Sequence, residues 1–507
     1  MPAKVLSAAI VGLNGELVEA EVDNSPYGHP GIFVVGLPDK AVDESKSRVR
    51  SAIRNSGFDF MRGNVTINLA PADLKKFGTH YDLPIAISCL IQSGQLSLGE
   101  GFSDNLFIGE LSLDGRLRPV PGVLSVAILC RDKGIKNLFL PKENAAEASL
   151  IGDINIYPAE NLAELTAHLF GSNLIKPAEK MEFEESEPEI FESDMSHIKG
   201  QEHAKRAIEI AASGGHNLLM SGPPGSGKTM LAKAMASILP KMTFAESLEV
   251  TKIYSSVGLV TDKEPLIRTR PFRSPHHTAS GPALVGGGTW PKPGEISLAH
   301  RGVLFLDEFL EFPKTVLENL RQPLEDGLVS VSRVAGSLEF PARFILVAAM
   351  NPCPCGYLSD PEKSCTCAPS QVLKYQKRAS GPLLDRIDLH LEVPRLKIEK
   401  LESEALAESS QAVRQRVQQA RDIQSERFKE EKIIDNSELS APLIKKYCAL
   451  DDLGKNLMRQ AVEKLHLSAR AYHRVLKVAR TIADLAASEK ITVEHLAEAL
   501  QYRPRAE

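Results

Sequence analysis

Residues His216 to Ser221 form a short apolar run ending at Gly222-Pro223-Pro224-Gly225-Ser226-Gly227-Lys228-Thr229, and a helix-favouring stretch opens at Met230. Strand, glycine-rich loop and helix in this order are the context a phosphate-binding loop requires. The glycines let backbone N–H groups curl around phosphate oxygens, and the helix N-terminus adds a favourable dipole. Lys228 is expected to reach the terminal phosphates and Thr229 to offer its hydroxyl to Mg²⁺. This block constrains the chain around it to an α/β fold that handles a nucleotide such as ATP.

A second run, Val303 to Leu306, delivers Asp307 and Glu308 at its C-terminal end. Two adjacent carboxylates there suit a division of labour, with Asp307 in the Mg²⁺ shell and Glu308 activating water against the γ-phosphate. A third apolar run, Phe344 to Met350, ends at Asn351, where an amide can orient the attacking water or simply end a strand. Together the motifs point to hydrolysis rather than binding alone.

The chain has 507 residues and a formal net charge of −5, so it carries no global basic field. About three domains are expected from length. No apolar run is long enough to span a bilayer. Val5 to Leu13 is apolar but runs into Asn14-Gly15, a hairpin signal without a cleavage-like site. It reads as a strand, and a cytoplasmic location is expected.

Strand-like and helix-like patterns alternate through residues 1–175. Asp39 is placed to cap a helix reaching about Asn55 and ended by Gly57. Residues 176–195 are dense in Glu and read as a solvated linker. Residues 196–393 are again α/β. Residues 394–507 are helical, with apolar residues at helical spacing from Leu443 to Leu500. Arg414, Arg416, Arg421 and Arg427 lie on one predicted helix, which either faces DNA or, since Arg414 and Arg416 point to different faces, is a solvated or intersubunit helix. His276-His277 makes a poor chelate and suits a structural or DNA-contact role.

Cys353, Cys355, Cys365 and Cys367 cluster tightly, while Cys89, Cys130 and Cys448 are scattered. Four thiolates can close a tetrahedral structural Zn²⁺ site, although C-x-C is tighter than the usual two-residue gap. A disulfide is disfavoured in the cytosol.

The motifs from Ser196 onward resemble the AAA+ superfamily. That resemblance implies a ring, usually a homo-hexamer, with ATP at subunit interfaces and a helical lid. Arg386, in Leu383-Leu384-Asp385-Arg386, resembles the arginine finger that reaches a neighbour's γ-phosphate. Arg470, or else Arg474, resembles the lid arginine that contacts nucleotide. Gly200-Gln201 resembles the turn lining the adenine pocket. Two inserts, Arg270 to Arg301 and Leu328 to Phe340, resemble those of the magnesium-chelatase ATPase subunit. The second reads as a β-hairpin. Trp290, Lys292 and Arg333 would touch a DNA strand in the ring pore or, equally, a neighbouring subunit.

Lys76 to Pro84 and Gly109 to Gly122 resemble the ribosomal S5-like α/β domain of Lon proteases. The serine of the Lon Ser–Lys dyad falls at His80 and the lysine at Leu124, so no peptidase activity is expected. The whole chain resembles the YifB/ComM family of magnesium-chelatase-like proteins. The family implies a DNA helicase that acts on single-stranded and branched DNA and drives branch migration during natural transformation. A chelatase motor and a protein-remodelling ring are the competing readings.

Overall fold

Asp39 is the N-cap of a helix over Lys40–Asn55, its Oδ1 accepting from Val42 N at 2.8 Å. Gly57, at φ +88°, takes the chain out of that helix. The Asn14-Gly15 signal closes a hairpin between Ala3–Val11 and Asn14–Ser25, in antiparallel register with Val11 opposite Asn14. The computed structural model describes residues 2–25, 31–97, 102–181, 193–288, 290–333, 336–358, 360–395 and 407–504. Most of the acidic linker lies outside the described residues. Among those described, no helix is long and apolar enough to cross a membrane.

The chain divides into two compact units. The first holds a mixed sheet with strands in the order Gly31–Val35, Asn64–Ala70, Asn14–Ser25, Ala3–Val11, Asn105–Phe107, Asn137–Pro141 and Asn155–Ala159. Strand alternation splits its apolar residues into two cores. Val5, Val18 and Ile67 pack with the helices Lys40–Asn55 and Asp82–Gln92. Ala8, Leu106 and Leu138 pack with the helix Val123–Lys133.

A sequential cut would place Phe244–Ile267 in the ATPase core. In the structure this segment belongs to the first unit. Its helix, Phe244–Ser256, packs Phe244 and Leu248 on the second of those cores, where Leu266 is also buried. Hydrogen bonds fix the placement: Gly122 N donates to the Ser255 carbonyl at 2.9 Å, and Lys252 Nζ to Asn14 Oδ1 at 3.0 Å.

The second unit is built on a wholly parallel five-stranded sheet, in the order Phe272–Arg273, Val303–Leu306, Ile345–Met350, Leu218–Ser221 and Leu389–Glu392. Strands buried on both faces read as unbroken apolar runs, which is why Val303–Leu306 shows no alternation. Their C-terminal ends share one edge, the usual ligand-binding edge of such sheets. The helices Ser410–Arg427, Ala441–Tyr447, Asp452–Leu465, Ala469–Leu485 and Val493–Gln501 belong to the same unit and the same apolar core. The first is tied down by charge: Arg416 pairs with Glu209, Arg421 with Asp435 and Arg427 with Asp484. Leu328–Arg333 and Gly336–Pro341 form the expected antiparallel hairpin.

Candidate active site

The phosphate loop leaves the strand Leu218–Ser221 and enters the helix Lys228–Ile238. Gly222 N donates to the Met350 carbonyl at 3.2 Å, and a Cβ on Gly222 would lie 2.2 Å from the Val393 carbonyl oxygen. Only glycine fits that approach. Gly225 and Gly227 adopt φ of +76° and +90°, conformations that L side chains avoid. Lys228 Nζ reaches back to the carbonyls of Gly222 (2.7 Å) and Pro223 (3.0 Å) and to Asn351 Oδ1 (3.4 Å). Burial pushes its pKa below the ordinary lysine value, and Asp307 opposes that shift. Ser226 Oγ is buried with no hydrogen-bond partner among the described residues.

Thr229 Oγ1 donates to Asp307 Oδ2 at 2.7 Å. The helix start and the strand end therefore bring together the two side chains expected at one Mg²⁺. Asp307 Oδ1 accepts from Glu308 N at 2.9 Å, and Glu308 turns through φ +51°, a left-handed conformation unusual for a side-chain-bearing residue. Its Oε2 lies 2.9 Å from His277 Nδ1. Sequence reasoning missed this pairing. The signal was His277's place just after the sheet strand Phe272–Arg273.

Arg386 and Arg470 meet on one carboxylate. Arg386 is buried and pairs with Glu325, and Arg470 Nη2 lies 3.4 Å from the same Glu325. Arg470 remains exposed, in the first turn of the helix Ala469–Leu485. Arg474 faces elsewhere. It pairs with buried Asp388 and donates to the Arg386 carbonyl at 3.0 Å. Burial opposes ionisation of Asp388, but Arg474 and His216 hold its carboxyl far below the usual range. His216 Nε2 sits 2.7 Å from Thr481 Oγ1, so this network ties the central sheet to the C-terminal helices. Glu325 and the His216 network were not anticipated, because each joins residues far apart in the chain.

Gln201, at φ +60°, sends its side-chain amide to the Pro394 carbonyl at 2.8 Å and the Ser226 carbonyl at 3.4 Å, so the Gly200-Gln201 turn abuts the phosphate loop. In the inserts, Lys292 is exposed in a two-residue ribbon with Gly286–Gly287, and Trp290 is half-buried beside it. Arg333 ends the first hairpin strand; its side chain lies outside the described residues.

The four cysteine sulfurs lie within 4.8 Å of one another. Three pairs are in contact: Cys353–Cys355 at 3.4 Å, and Cys365 with each of them at 3.6 Å. Backbone N–H groups of Tyr357 and Thr366 point at the Cys355 sulfur and bring its pKa down to about 6.

Three family models match in sequence order. "Subunit ChlI of Mg-chelatase" covers residues 18–144, "Magnesium chelatase, subunit ChlI" covers 194–401, and its C-terminal model covers 407–503. The competence protein ComM of Haemophilus influenzae is 47% identical over 504 residues, spanning 99% of this chain and 97% of that protein. The chain belongs to the YifB/ComM family. YifB of Escherichia coli, an uncharacterized protein, is 44% identical over 98% of this chain and 96% of its own length. The 38 kDa magnesium-chelatase subunit of Rhodobacter capsulatus is 28% identical over 31% of this chain. The YifB/ComM relationship thus extends over the first unit as well as the AAA+ unit, whereas that chelatase match covers a third of the chain.

Proposed function

We propose that this chain is an ATP-hydrolysing motor working as a cytoplasmic hexameric ring on single-stranded and branched DNA, where it drives branch migration as transforming DNA is integrated. The hydrolytic half of this reading is carried by the Thr229–Asp307 contact at 2.7 Å, which puts a hydroxyl and a carboxylate on one cation position beside Lys228. Thr229 and Asp307 would hold Mg²⁺, which neutralises phosphate charge when bound. Lys228 leaves its own loop carbonyls for the terminal phosphates. Glu308 takes the proton of the attacking water, and Asn351 orients that water. Arg386, with Arg470 beside it, completes the site of a neighbouring subunit. Gly200 and Gln201 border the adenine.

The DNA half is carried by full-length similarity to the competence protein ComM. Trp290, Lys292 and Arg333 are the proposed DNA contacts. The first unit has a Lon-like fold without peptidase chemistry: His80 and Leu124, at the dyad positions, are both buried. The cysteine cluster holds structural Zn²⁺. Its contacting sulfurs are 3.4 to 3.6 Å apart, close to the edge of about 3.8 Å that Zn–S bonds of about 2.3 Å impose on a tetrahedron.

ATP-dependent branch migration on a three- or four-strand junction, with Glu308→Gln as control, tests the reading. No movement by the parent chain would reduce the claim to a bare ATPase. The chelatase family matches favour a second reading, a motor for Mg²⁺ insertion into a porphyrin. ATPase activity stimulated by porphyrin and not by DNA would select it.

A further inference from the structure

The cysteine cluster touches the phosphate loop. Cys353-Pro354-Cys355-Gly356 closes a tight turn, with Gly356 N donating to the Cys353 carbonyl at 3.0 Å and Gly356 at φ +85°. A Cβ on Gly356 would lie 2.6 Å from Pro224 Cδ and 2.7 Å from Pro224 Cγ. The backbone of the turn therefore lies flush against the middle of the phosphate loop, with no room for a side chain between them. The same hypothetical Cβ would be 3.8 Å from Asn351 Cγ. Asn351 in turn accepts from Lys228 at 3.4 Å and stands two residues before the first cysteine. Pro352, between them, is held through its carbonyl by Gln376 Nε2 at 3.2 Å. The turn thus meets the nucleotide loop at Pro224 and, through Asn351, at Lys228.

The sulfur cluster joins the turn to the far end of its loop, with Cys365 3.6 Å from both Cys353 and Cys355. Among the described residues, 352–368 contain no helix or strand. Instead, the backbone N–H groups of Tyr357 and Thr366 serve the Cys355 sulfur, that of Cys367 serves Cys365, and that of Cys355 serves Cys367. Outer hydrogen bonds of this kind orient metal-ligating thiolates. The sulfurs thus draw Cys353 and Cys355 onto Cys365 across the loop, and Gly356 and Asn351 are where this loop meets the nucleotide site.

We infer that metal occupancy of the four-cysteine site sets the affinity of the phosphate loop for nucleotide, through the Gly356–Pro224 contact. The inference rests on the zinc reading given above and adds a coupling to it. Thermodynamic linkage makes the coupling reciprocal: if zinc tightens nucleotide, nucleotide tightens zinc by the same factor.

The test uses the full chain, with zinc content measured by metal analysis and Mg·ADP affinity by calorimetry. Stripping zinc with a thiol-directed chelator should weaken Mg·ADP about tenfold, within the range usual for coupled sites, and returning zinc should restore it. Gly356→Ala should keep its zinc and still lose affinity. Adding Pro224→Ala, which removes the ring atoms that the new Cβ meets, should recover part of the loss, a non-additivity expected of direct contact. Zinc present with ADP affinity unchanged by stripping, or unchanged by Gly356→Ala, would overturn the coupling and leave the zinc site standing. A chain that neither retains nor takes up zinc would overturn both. Circular dichroism of the stripped protein separates loss of coupling from loss of fold: if ADP affinity falls only as helix content collapses, the inference is overturned.

Discussion

The Nδ1 atom of His277 lies 2.9 Å from the Oε2 atom of Glu308, so the carboxylate proposed to activate water is tethered from the first chelatase-type insert. Glu308 sits on a left-handed backbone at the end of its strand, and the histidine limits the directions its side chain can take. His277→Ala is expected to lower kcat about tenfold, a fraction of the full general-base contribution, with nucleotide affinity within about twofold of the parent. His277→Asn, which keeps a donor, should recover part of the loss. An unchanged kcat in the alanine variant would make the pairing incidental to hydrolysis.

Glu308→Gln keeps the shape of the site and removes the base. ATPase activity should fall by about 10² to 10⁴ while ATP still binds, which stopped assays with labelled nucleotide would show. Asp307→Asn differs, because it weakens the Thr229 contact and the Mg²⁺ position together. It should lose Mg²⁺-dependent nucleotide affinity as well as turnover.

Arg386 is buried against Glu325 and still proposed to serve a neighbour's nucleotide. Arg386→Ala should reduce kcat about 10³-fold, as loss of an arginine finger does. The sharper measurement is a mixture: Arg386→Ala subunits combined with Lys228→Ala subunits should regain activity at interfaces that pair an intact loop with an intact arginine. A mixture no more active than its parts would mean that the arginine does not act across subunits.

What could be seen in the chain beforehand was local. The glycines of the phosphate loop, the Asp39 cap and the hairpin at Asn14-Gly15 each depend on residues within a few positions, so spacing alone located them. The four cysteines were legible for the same reason. His277 against Glu308, Glu325 between Arg386 and Arg470, and the packing of Phe244–Ile267 on the first unit depend on which strands become neighbours. Sheet order decides that, and no window of adjacent residues encodes it. The contact of Gly356 with Pro224 is of the second kind, although each residue sits in a motif visible by itself.

His80 is buried with Nε2 3.0 Å from the Ala8 carbonyl, and burial brings its pKa down to about 4 from 6.5. Because the folded value lies below the unfolded one, the unfolded chain binds the proton first. The stabilisation is complete above about pH 6.5 and is lost as pH falls towards 4, a change of about 3 kcal/mol from this group. Protection factors of the amides in the helix Asp82–Gln92, corrected for the intrinsic exchange rate at each pH, should therefore fall over that interval. In His80→Gln the fall should be largely absent; a variant with the same acid sensitivity would show that another group governs it.

Phe244–Ile267 has a bearing on how such a protein can be divided or recombined. The polypeptide passes between the two units three times: at the linker, at Thr243–Phe244 and at Ile267–Arg268. Cutting at the linker frees neither half cleanly. The front fragment would lose a helix from its own core and uncover apolar residues such as Leu129 and Leu266's neighbours, while the rear fragment would carry that helix with nothing to pack it. Units laced together in this way are poor candidates for modular exchange. The first unit takes its full core only from a chain that also runs through the second.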